Sequence, residues 1–167
     1  MSTVAVWQGS DAELLAELGA LETRLHATWA QMLSVIAEVD SRGTATAVGY
    51  TNTIDLVRAV GRVSRGEARA RIDAAAVLPG RGVGGAPMAP RLPATAAAVA
   101  EHAIGPADVR VIRSVLARIP AHHGHETRAQ VEAELATHAR TLDAGQLTVL
   151  GTVMPRSYTT AHAQQTR

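Results

Sequence analysis

Between Leu14 and Val39, apolar residues return every seven positions along two tracks. Leu14, Leu21, Thr28 and Val35 form one, and Leu18, Leu25, Met32 and Val39 the other. Two interleaved tracks of this kind make an a/d seam, here sustained for more than three heptads, which only a long helix can present on one face. The helix should run from about Ser10, a good N-cap, to about Asp40. The remaining composition agrees. Of 167 residues 33 are Ala, the strongest helix former, while aromatics are 2% with no Phe. Val, Ile and aromatic residues are too sparse for a β-sandwich core, so the expected fold is all-α. The length suits one domain, and an apolar fraction of 47% excludes wholesale disorder.

Local signals divide the chain into five to seven helices. Ser41-Arg42-Gly43 stops the first, and a short helix follows near residues 53–60. Gly61-Arg62-Val63 makes a tight turn, after which Ser64 and Glu67 have the spacing of a reciprocal capping box opening a helix to about Leu78. Residues 79–93 are Gly/Pro-rich and read as a flexible loop. Further helices are expected at about 94–102, from Gly105-Pro106 with Val109, Ile112, Leu116 and Ile119 inward, and at about 125–140 with Val131, Leu135 and Leu142 in register. The last opens at Asp143, boxed with Gln146, and should end by Met154-Pro155. The domain is thus 10–154, with 155–167 read as a disordered tail.

The absence of cysteine excludes disulfides, thiolate zinc sites and a cysteine nucleophile. No leader-like start and no run of 18 apolar residues is present, so a cytoplasmic protein without a membrane partner is expected. All 16 basic residues are Arg, and the net charge is +1. Its distribution is uneven, however: residues 1–41 carry one Arg against six acids, and residues 42–91 carry eight against three. That asymmetry points to a basic face toward an anionic partner.

Four stretches follow in order: LETRLHATWAQMLSVIAEVDSRG, SRGEARARIDAAAVLP, RLPATAAAVAEHAIGPADVRVIRSVLARIP and ARTLDAGQL. The chain resembles, from about Leu14 to Met154, the actinobacterial 13E12 repeat family. Specific pieces are Ser64–Glu67 followed by Ala68-Arg69, the helix start Leu92-Pro93-Ala94-Thr95, and Val109-Arg110-Val111-Ile112. The family's shared domain of unknown function commonly precedes an HNH endonuclease domain. The resemblance therefore implies a helical module from a DNA-processing setting. An HNH centre needs two His and an Asn around a divalent ion. The single Asn, Asn52, has no His within 25 residues, so the nuclease portion is absent and no enzymatic activity is expected.

Other motif-like clusters lack the context that their chemistry needs. Gly80, Gly82 and Gly85 fit G-x-G-x-x-G but leave a helix and run into prolines, which is the wrong context for a dinucleotide loop. His122, His123 and His125, with His138 further on, have no partners at a defined helical spacing and read as a solvated linker rather than a metal site. His26 and His102 read as ordinary surface or interface residues on helices. Glu132 and Glu134 face different directions, and no serine lies in a nucleophile elbow. No cofactor, metal or small-molecule substrate is expected.

Two function classes remain. The leading one is contact with double-stranded DNA through a helix-turn-helix-like segment, residues 52–78, with Arg58, Arg62, Arg65, Arg69 and Arg71 as contacts. Against it, Glu67 with Arg71 and Arg69 with Asp73 have the i,i+4 spacing of plain surface pairs. The alternative is a homodimer or partner-binding protein that uses Leu14, Leu18, Leu21, Leu25 and Met32, although a long helix packed on its own domain explains the same seam. A truncated copy without selected function is the third reading.

Overall fold

The computed structural model describes residues 9–77, 88–120 and 124–165. The loop expected at 79–93 and the residues His122 and His123 therefore fall largely or wholly outside the described residues. Helix α1 spans Asp11–Ser41 and opens as its sequence requires. The Ser10 hydroxyl accepts from the Glu13 amide at 3.4 Å, and the Glu13 carboxylate accepts from the Ser10 amide at 2.8 Å. That backbone bond holds the Glu13 carboxyl below the usual range. Its stabilising share is present above the ordinary carboxylate pKa and is lost as pH falls through the lowered one. The chain leaves α1 through Gly43 at φ +63°, whose N–H donates to the Asp40 carbonyl.

Next come α2 (Thr44–Ala47), α3 (Thr53–Gly61) and α4 (Arg65–Ala75), then α5 (Pro93–Ala100), α6 (Pro106–Arg118), α7 (Gly124–His138) and α8 (Ala144–Gln165). No strand occurs among the described residues, so the fold is all-α. Two expectations change. The short α2 brings the described helices to eight rather than five to seven. The backbone of α8 also continues past Met154-Pro155 to Gln165, because a proline costs a helix one hydrogen bond without forcing it to end.

Helix α6 is the centre of the molecule. Its Val109, Ile112 and Val115 are sealed from solvent between α4, α7 and α8. Leu33 and Ile36 of α1, Val99 of α5, Val131 and Leu135 of α7 and Leu147 of α8 complete the core. Fully buried Ala68 and Ala98 allow helices to approach closely in a core with almost no aromatics.

Helix α5 ends in paired bonds from the His102 N–H to the Val99 carbonyl and from the Ala103 N–H to the Ala98 carbonyl, with His102 at φ +59°. His102 is thus at a left-handed cap rather than on a helix, in a conformation glycine adopts without strain. His102→Gly is expected to raise stability by about 0.5–1 kcal/mol in urea denaturation, and a loss of stability would refute this account of the corner. Close by, Glu101 pairs with Arg140 beyond the end of α7; this hydrogen bond holds the Glu101 carboxyl below its usual range and raises the Arg140 pKa.

Candidate functional site

The arginine set comes together only in part. Asn52 caps α3: its side-chain oxygen accepts from the Asp55 amide at 3.0 Å, and its amide group donates to the Asp55 carboxylate at 2.9 Å. Asp55, so held, faces both Arg58 at 3.4 Å and Arg65 at 3.3 Å. Arg69 pairs with Asp73 at 3.2 Å, and Arg113 of α6 reaches the same carboxylate at 3.5 Å. Arg71 pairs with Glu67 at 2.9 Å, is three-quarters buried, and lays its guanidinium on the Met32 sulfur at 3.5 Å. Arg71 therefore braces α4 against α1 and is not available to a ligand. Arg62 occupies the turn at φ +51° and is exposed.

The outline of two helices across a tight turn is formed, and both i,i+4 pairs anticipated from spacing are present. What spacing could not show is Asp55 serving Arg65, ten residues on, as well as Arg58. The Ser64–Glu67 box is half made: Ser64 accepts from the Glu67 amide, but the Glu67 carboxylate turns to Arg71 instead. Three carboxylates thus offset four of the five arginines. Arg71 apart, these arginines are exposed, and such pairs are worth only about 0.2–1 kcal/mol each, so a phosphate can displace them, but the field is far weaker than the arginine count suggests.

A different surface stands out on α1. From His26 onward the helix is tied to the body: His26 Nδ1–H donates to the His102 carbonyl at 3.2 Å, and Gly105 leaves the ring its room. Trp29, Met32, Leu33 and Ile36 then pack on the core. Before His26, every residue from Asp11 to Leu25 is exposed. These fifteen residues carry the helix roughly 22 Å beyond its last anchor. On them Leu14, Leu15, Leu18, Leu21 and Leu25 are between 38% and 71% exposed, and Val35 extends the stripe at 62%. Scattered exposed leucines are ordinary, but five on adjoining stripes of one projecting helix mark an interaction surface. Of the seam residues, Met32 packs on the core and Val39 is half-buried. The sequence pattern revealed the seam and left open which half the domain would cover.

A groove of about 550 Å³ lies between α4, α5, α6 and α7, with Val77, Leu92 and Leu116 beside Arg91, Arg113, Arg128 and Glu132. Its one buried acid, Glu132, is missing from the sequence-derived sites and is fully engaged. It accepts from the Thr95 amide and hydroxyl, both at 2.6 Å, and from the Ala94 amide at 3.4 Å. Among the described residues no group of three His, Asp or Glu could hold a metal ion, and no helix is long and apolar enough to cross a membrane. His125 and His138 are exposed.

Comparison with known proteins places this helical array. Residues 12–157 match the model of a domain of unknown function, DUF222, and the chain belongs to that family. Two uncharacterized proteins of Mycobacterium tuberculosis, from strains CDC 1551 and H37Rv, are each 51% identical over 76 residues. The match takes in 45% of this chain and 17% of each relative, so the chain spans a small part of those proteins. No solved structure matches it.

Proposed function

We propose that this member of the DUF222 family is a non-catalytic helical module of the cytoplasm that works by association, through the leucine ridge on the projecting half of α1. One observation carries the reading: Leu14, Leu15, Leu18, Leu21 and Leu25 share a stretch of regular helix that the domain leaves uncovered. Burying each against a partner is worth about 1.5–3 kcal/mol, and the cost of ordering that half of the helix falls because its other half is already anchored. In the longer nuclease-bearing proteins that the 13E12 resemblance implies, such a module would bring polypeptides together and leave the chemistry to another domain.

The test is the molar mass in sedimentation equilibrium across a concentration series. The parent chain is expected to associate, and the double variant Leu18→Glu/Leu25→Glu to lose association by at least about a hundredfold while far-ultraviolet circular dichroism stays helical. A parent that is monomeric at every concentration, or a variant that associates as before, would overturn the reading.

A second reading keeps the DNA contact, favoured by one specific observation. Arg62, Arg65 and Arg69 stand exposed around the turn and the first half of α4, where a recognition helix presents its contacts. Arg65→Ala/Arg69→Ala should weaken binding to a duplex and reduce the slope of affinity against salt by about two. Affinity unchanged between about 50 and 200 mM salt would remove it.

A further inference from the structure

The ridge carries charges along its edges, and they discriminate between possible occupants. With Leu18 and Leu25 at a and Leu14 and Leu21 at d, the flanking g positions are Glu17 and Arg24, and the e positions are Leu15 and Glu22. Within one chain Glu17 and Arg24 already meet along the same edge, at 2.7 Å, with both side chains more than half exposed.

We infer that the ridge is occupied by a second copy of this chain, laid antiparallel and centred between Gly19 and Ala20, with Glu17 of each copy against Arg24 of the other. The inference rests on the association reading above and gives it a partner and a geometry. Two independent features select the same register. Seating all four seam leucines in shared layers puts Leu14 opposite Leu25 and Leu18 opposite Leu21. In an antiparallel pair that alignment brings the g positions 17 and 24 together, opposite in sign, twice by symmetry. A parallel pair instead sets each g position against the e position five residues on, which opposes Glu17 to Glu22, again twice. Shifting the antiparallel register one heptad toward the body opposes Arg24 to Arg24 and sets Leu14 against Met32, which already packs on its own core. The length also fits. Centred there, Asp11–Leu25 of one copy lies beside residues 14–28 of the other, so the projecting half of each helix is covered up to the point where its own body begins.

The chain has no cysteine, which makes the orientation directly readable. Leu14→Cys and Leu25→Cys proteins, mixed and oxidised, should yield the 14–25 cross-link in preference to 14–14 or 25–25. In sedimentation, Glu17→Arg and Arg24→Glu should each weaken association about tenfold by opposing like charges, and the double exchange should restore it. All these positions are exposed, so circular dichroism should show the fold intact in each variant. An associating parent that gives 14–14 and 25–25 links, or charge variants that associate like the parent, would overturn the antiparallel pair and leave association standing. A parent that stays monomeric would overturn both.

Discussion

Glu132→Ala is expected to destabilise the fold by about 3–5 kcal/mol, enough to remove much of the stability of a domain this size. The reason lies at the start of α5. Its N-cap position is Leu92, whose side chain cannot accept a hydrogen bond, and Pro93 follows at the first helical position. The first free amides of the helix, Ala94 and Thr95, therefore need an acceptor from elsewhere. Glu132 supplies it from α7, 37 residues further on, with its carboxylate buried and the Thr95 hydroxyl bound to the same oxygen. The charge also sits at the positive end of a helix dipole, where a carboxylate is favoured. Truncation leaves two amides and a hydroxyl buried beside a cavity, each unsatisfied group costing about 1–3 kcal/mol.

Graded variants separate this account from simple loss of packing. Glu132→Gln keeps an acceptor oxygen and most of the volume, so about half the loss should remain, whereas Thr95→Val should cost about 1–2 kcal/mol. The measurement is urea unfolding followed by circular dichroism. A Glu132→Ala protein within about 1 kcal/mol of the parent would show that α5 does not depend on this cap.

The same residue shows where sequence reasoning stopped. Glu132 could be compared with Glu134 on its own helix, but nothing local connects it to Thr95, and a contact across 37 residues leaves no periodic trace. Asp55 is similar: its bond to the Asn52 cap is local, but its service to Arg65 depends on how the turn folds back. What was legible was repetitive or adjacent. The Ser10 cap, the Asp143–Gln146 box and the buried positions Val109, Ile112, Leu116, Val131 and Leu135 all follow from spacings of three, four or seven residues, and all are present. Leu142, by contrast, lies beyond the end of α7 and is half-buried. Thr44–Ala47 is too short to show a period, so α2 went unseen. Pro155 read as a stop because proline usually is one. The leucine ridge was half legible. Its pattern is in the sequence, but its exposure depends on α1 meeting the α5–α6 corner at His26 and no earlier.

Gly151→Val should cost more than about 3 kcal/mol, although glycine inside a helix ordinarily invites stabilising replacement. A Cβ at this position of α8 would lie 2.3 Å from Cγ2 of Val115, with Cβ and Cγ1 of the same side chain at 3.5 Å. Val115 is fully buried at the centre of α6, so it has nowhere to move. Overpacking a sealed contact costs about 1–3 kcal/mol for one methyl group and more for three. Gly151→Ala tests the balance more finely. The helical preference for alanine, about 1 kcal/mol, opposes the clash and should bring the net loss to about 0–2 kcal/mol. Removing the obstacle should then reverse the sign. In a Val115→Ala background, itself destabilised by about 2 kcal/mol, the new methyl group enters the vacated space, and the coupling between the two changes should reach at least about 1 kcal/mol. Additive losses would mean that α8 can slide along α6 to make room. Coupled ones would mean that Gly151 is the point at which the last helix is locked to the central one.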